Sequence, residues 1–135
     1  MSHETQRLFE SRRLPDLPVI VGTWYNGFRF AEQGKAYSLE VHALLDAQTS
    51  PVYYILDMSR LENISFEGVM LAANQGARGN DPNLHHPMNC GTLFVSNAAI
   101  VQKVAEGMNT STFGDLKIGI YASLDDALDV VRASI

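Results

Sequence analysis

The chain has 135 residues, 46% hydrophobic and 19% charged, a composition that suits one globular domain with its own core and excludes a disordered segment. Ten Lys and Arg against 15 Asp and Glu give a formal charge of -5, which argues against nucleic-acid binding, since phosphate neutralisation needs a clustered basic surface. The single cysteine, Cys90, excludes an internal disulfide and no apolar stretch reaches bilayer length, so a soluble, cytoplasmic protein with no membrane partner is expected.

Residues 4–12 are weakly strand-like and can pair with the next apolar run through a turn around Pro15 and Asp16. "LPVIVGTWY" is β-branched and aromatic, which predicts a strand from about Leu17 to Tyr25. Asn26 and Gly27 end it with residues that tolerate positive φ. From about Arg29 to Ala47 the apolar period changes, and Tyr37, Val41, Leu44 and Leu45 fall on one helix face. "PVYYILDM" is a continuous apolar run, as in a strand buried on both faces of a sheet.

Phe66, Val69, Met70, Ala73 and Ala77 then mark a second amphipathic helix. "GTLFVS" reads as another buried strand, and Ser96 and Asn97 are N-cap candidates for a helix carrying Ile100, Val101, Val104 and Met108. "LKIGIYA" is the last strand. The closing "SLDDALDVVRASI" has the clearest helix start: Ser123 is the natural N-cap, Asp125 and Asp126 favour the helix dipole, and Leu124, Ala127, Leu128, Val131 and Ile135 form the apolar stripe. The order β-β-α-β-α-β-α-β-α predicts a single α/β domain over 1–135, with a mostly parallel sheet, an N-terminal β-hairpin and about four helices.

Signatures of chemistry are sparse. "NQGARGND" lacks the spacing and the Lys-Ser/Thr of a phosphate loop, and Gly22 is followed by Thr-Trp-Tyr rather than a dinucleotide fingerprint. Asp81, His85, His86 and Cys90 suggest a metal site, but adjacent histidines on an extended segment point opposite ways and no paired Cys/His spacing supports it. The expectation is no metal and no cofactor, with Cys90 buried at a strand start. No "GxSxG" elbow or Ser/Cys–His pattern supports a catalytic site. Trp24, Tyr25, Phe28 and Phe30 read first as packing at a strand-to-helix corner and second as the wall of a ligand pocket or interface. The turn after the third strand carries Asp57, Ser59, Ser65, Glu67 and Gly68 at the carboxyl end of a parallel strand, where ligand and partner sites collect, although helix capping alone accounts for its polar residues.

The element order, the "YYILDMS" strand and the "IYASLDDALDVV" ending resemble STAS domains, which include the SpoIIAA-like anti-sigma factor antagonists. In that family the third strand runs into "LDLS" and then "DSSG" at a helix start; here "LDMS" spans Leu56 to Ser59 and "SFEG" spans Ser65 to Gly68. The resemblance, covering the chain from about Leu17 onward, implies a STAS-like fold and a non-enzymatic regulatory module. Its partner would be a protein, such as an anti-sigma-factor-like or signalling protein, and a homodimer is a further expectation. The family's phosphorylated serine matches Glu67, its Asp matches Ser65, and Phe66 replaces the other serine. A carboxylate carries one charge where a phosphate carries nearly two, so Glu67 mimics the modified state in part. A small-molecule or lipid-binding protein of the same fold is the alternative.

Overall fold

The computed structural model describes residues 8–61, 83, 84, 86–108 and 119–135. Strand β1 (Phe9–Arg13) and strand β2 (Val19–Trp24) form an antiparallel hairpin in which Phe9 faces Trp24 and Arg13 faces Ile20. The Arg13 guanidinium donates to the Leu14 and Leu17 carbonyls, and the Leu14 N–H donates to the Val19 carbonyl at 2.9 Å. These bonds satisfy turn carbonyls that the ladder does not reach.

Helix α1 (Phe30–Asp46) follows a tight turn in which Gly27 takes a φ of 97°, the left-handed conformation that Asn-Gly favours. Its N-cap, Arg29, has no side-chain cap, but the Gln33 carboxamide reaches back to accept from the Arg29 N–H at 2.7 Å. Strand β3 (Val52–Asp57), strand β4 (Asn89–Val95), helix α2 (Ala99–Met108), strand β5 (Gly119–Tyr121) and helix α3 (Leu124–Ser134) complete the described elements. The five strands lie in the order β1-β2-β3-β4-β5, with every pair after the first parallel.

This sequential order decides the layering. Crossovers of one hand that always step the same way place their helices on the same face of the sheet. Ile20, Trp24, Tyr54 and Leu56 accordingly pack with Tyr37, Val41 and Leu45 of α1 and Val101 of α2. The opposite side chains of the same sheet, Val19, Val21, Ile55, Leu93 and Val95, pack on Ala127 and Val131 of α3. Strand β3 is thus buried on both faces, as its unbroken apolar run leads one to expect, and so is β2. Each fully buried Ile, Leu or Val contributes about 1.5–3 kcal/mol relative to exposure.

Strand β2 and helix α1 are each a residue or two shorter at their ends than their patterns suggest, while β1, expected over 4–12, is described from Phe9 to Arg13. Ile135, placed by periodicity on the buried stripe of the last helix, is instead 69% exposed, because α3 ends at Ser134. Cys90 is exposed rather than buried. Val52 pairs with Asn89 and Tyr53 with Gly91, so Cys90 is the extra residue of a β-bulge. A bulged residue has no partner opposite it and leaves the regular alternation. The helix expected over 66–77, and Ser65, Glu67 and Gly68, lie outside the described residues.

Candidate functional site

Two polar constellations occupy opposite ends of the sheet. The first is the corner where β2 and β3 end. Asp57 closes β3, is 6% exposed, and lies on the same face of the sheet as Ile55. Its Oδ1 accepts the Ser59 N–H at 2.9 Å and the Ser59 hydroxyl at 2.6 Å. This is an Asx turn: the short side chain satisfies the backbone two residues on and lets the strand end sharply. The Met58 N–H donates to the Val95 carbonyl, and the Leu61 N–H closes back on the Met58 carbonyl, so the exit from β3 is pinned at both ends of its described length.

Beside it, Trp24 stacks on Phe28 with centroids 4.3 Å apart, while Tyr37 meets Trp24 edge-on at 5.6 Å and Phe9 at 5.7 Å. Phe30 lies tilted 6.0 Å from Trp24. The cluster fits because Gly22 has no side chain: a Cβ there would occupy the space of the Tyr37 hydroxyl, which hydrogen-bonds the Tyr54 hydroxyl. Trp24 and Phe28 are therefore packing residues first. One buried polar atom, the Trp24 indole N–H, has no hydrogen-bond partner among the described residues.

Tyr25 points elsewhere. It is half-buried, and the Arg60 guanidinium lies 5.9 Å from its ring centroid. Burial, followed by the charge of Glu10 and a hydrogen bond to it, raises the Tyr25 phenol above its ordinary pKa. Tyr25, Arg60, Asp57 and Ser59 thus share one corner, while Trp24 and Phe28 back it from the core. Nothing in the sequence singles out Arg60, because its position over Tyr25 has no local signal.

The second constellation lies where α1 ends and β4 begins. His42 Nε2 is 3.3 Å from one oxygen of Asp46, one turn on along α1, and His86 Nε2 is 2.7 Å from the other. Asn83, 2% exposed, donates from its amide to the Ser38 carbonyl at 2.9 Å and hydroxyl at 3.0 Å, and its Oδ1 faces His42 Nδ1 at 3.2 Å. His86 Nδ1 accepts the Met88 N–H at 3.0 Å. The hydrogen bond from His86 is the main reason the Asp46 carboxyl sits below its usual pKa, with smaller help from the charges of both histidines against the effect of burial.

Of the four residues that suggest a metal in the sequence, two are described, and of these His86 enters the cluster. Cys90 is the bulge residue, and Asp81 and His85 are outside the described residues. His42 and Asp46, four apart on one helix, are visible as a pair from their spacing; the third member comes from 40 residues further on.

A five-stranded sheet with one antiparallel edge, crossover helices on one face and the C-terminal helix on the other, defines the SpoIIAA-like class of α/β fold. A crystal structure of an uncharacterised protein of the DUF3478 family with a SpoIIAA-like fold, from Shewanella loihica PV-4, superposes with a TM-score of 0.56 at 12% sequence identity. The match covers 95% of this chain and 98% of that one. No family profile matches the sequence, and no curated protein matches it. The fold expectation from "LDMS" and "SLDDAL" is therefore met. No described helix is long and apolar enough to cross a membrane.

Proposed function

We propose that this chain is a cytoplasmic, non-catalytic regulatory module that binds a protein partner through the corner at the carboxyl ends of β2 and β3. The contact residues are Tyr25, Ser59 and Arg60, with buried Asp57 shaping the turn that presents them; Ser65, Glu67 and Gly68 belong to the same reading from the sequence. The observation that carries this reading is the state of Asp57. Both the N–H and the hydroxyl of Ser59 donate to its Oδ1, which fixes the shape of the turn and leaves Ser59 and Arg60 exposed on it. Arg60 over Tyr25 adds an exposed cation on an aromatic ring, a pairing suited to an interface anchor. Glu67, where the resembled family carries its phosphorylated serine, makes the module constitutive.

The test is affinity purification from the native cell with wild type, Arg60→Glu and Glu67→Ser side by side, each followed by phosphate analysis. One partner retained by wild type and lost with Arg60→Glu is the expected result. Equal recovery with all three, or stoichiometric phosphate on Ser59 or Ser65 of the wild type, removes the constitutive corner-binding reading.

A small-molecule or lipid ligand is the second reading, favoured by the buried Trp24 N–H amid apolar rings, a donor that a ligand oxygen would satisfy. Native mass spectrometry of freshly purified protein that finds no bound species eliminates it.

A further inference from the structure

We propose that His42, Asp46 and His86 form a binding site for one divalent transition-metal ion of the zinc class, at the end of the sheet opposite the partner corner. The ligand atoms of the three residues all lie within 4.8 Å of one another. They converge from the last turns of α1 and from the segment leading into β4.

The geometry around the three side chains points to a cation. The Ser38 carbonyl can only accept, so the Asn83 amide group must face it, and Asn83 Oδ1 must face His42. His42 Nδ1 therefore carries the ring's proton in the neutral form, and Nε2 presents a lone pair. That lone pair faces a carboxylate oxygen of Asp46 at 3.3 Å. Two acceptors so placed repel each other unless a cation lies between them. A separation of 3.3 Å is close to the edge of a tetrahedron of about 2.0–2.1 Å metal–ligand bonds, which is about 3.3–3.4 Å. Asn83, nearly fully buried and doubly anchored to Ser38, is the outer hydrogen-bond partner that a metal-ligating histidine requires.

His86 is arranged differently. Its Nδ1 accepts from Met88, so its proton sits on Nε2 and bonds Asp46 at 2.7 Å. On metal binding the ring keeps one proton, moved through solvent from Nε2 to Nδ1. Nε2 becomes the third ligand, and the Met88 N–H loses its acceptor. Two imidazoles and one carboxylate are a donor set for Zn2+ rather than for Mg2+ or Ca2+, which favour oxygen throughout. Asp46 is 59% exposed, leaving room for water at the remaining position. The ion also lies at the C-terminal, negative end of α1.

The experiment uses the full chain, free of any affinity tag and treated with chelator, titrated with ZnCl2 by calorimetry. Co2+ absorption and amide NMR serve as independent readouts. One ion per chain with a micromolar dissociation constant is expected, together with a tetrahedral Co2+ spectrum, a raised melting temperature and a shifted Met88 amide. His42→Gln and His86→Gln should each weaken binding by tenfold or more while the apo melting curve shows a folded protein. Asn83→Ser should weaken it by roughly 10–100-fold, as loss of an outer partner does. Cys90→Ser should bind as wild type. The site is ruled out by absence of Zn2+ binding below millimolar concentration, by binding that survives both histidine substitutions, or by binding that needs Cys90. None of these outcomes bears on the partner corner, which stands or falls with Arg60→Glu.

Discussion

Single residues in this protein act through what they exclude as much as through what they bind. Gly22 is required not for a special backbone angle but for the space that Tyr37 fills, and that packing joins β2 to α1. Asp57 shows that a buried carboxylate at a strand end can be wholly structural in its visible contacts. Tyr25 is the residue for which environment predicts behaviour in solution. Its phenol pKa is raised in the fold, so just above the ordinary value of 10.0 the unfolded chain ionises first. Folding stability linked to Tyr25 is complete below that point and declines as pH rises through the raised value. Urea midpoints measured across this alkaline window should fall less steeply for Tyr25→Phe than for wild type. Parallel pH profiles for the two would show that burial and Glu10 leave the phenol unperturbed.

The elements form where local signals agree, and their ends move where those signals weaken. Helix α3 has the strongest start: the Ser123 hydroxyl accepts the Asp126 N–H at 3.1 Å, and Asp125 and Asp126 sit in the first turn. An N-cap of this kind contributes about 0.5–2 kcal/mol. Ser123→Ala should therefore lower stability by about 1 kcal/mol in chemical denaturation, with no change in the slope; a loss within error would assign the start of α3 to packing alone. Helix α1, by contrast, begins without a side-chain cap and depends on the Gln33 bond and on burial of Tyr37, Val41 and Leu45. Before α2, Ser96 rather than Asn97 engages the backbone, accepting from the Ala98 N–H at 3.1 Å. At the entry to β4, Asn89 bonds the Gly91 N–H, the Asn83 carbonyl and the Thr92 hydroxyl, holding the bulge that displaces Cys90.

At the scale of the molecule the two faces of the sheet are unequally served. One is covered by α1 and α2 and carries the aromatic cluster; the other is covered, among the described residues, by α3. Removing residues 124–135 would bare Val19, Val21, Ile55, Leu93 and Val95 together, a contiguous apolar surface that drives association. The truncated chain should lose its cooperative thermal transition and elute as aggregate by size exclusion. A monomeric, cooperatively melting product would mean the second face is not part of the core. The same layout separates the candidate sites, with the partner corner at the carboxyl ends of β2 and β3 and the histidine cluster at the far end of α1. A parallel crossover makes α1 run from one end of the strands to the other, so its two ends serve different sites.

The sequence by itself determined the order of the described elements, the apolar face of α1, the two-sided burial of β3, and the cap of α3. Each of these is written in residues a few positions apart, through periodicity or a cap that acts within one helical turn. It also carried the corner after β3 far enough to mark Asp57 and Ser59. Only the tertiary structure decided which histidine meets which carboxylate, that Cys90 is squeezed out of β4, that Arg60 lies over Tyr25, and that Gly22 makes room for Tyr37. Those outcomes depend on strand register and on segments tens of residues apart being brought together. A single bulge reverses which residues face inward, and no local pattern encodes the non-local contacts that choose it.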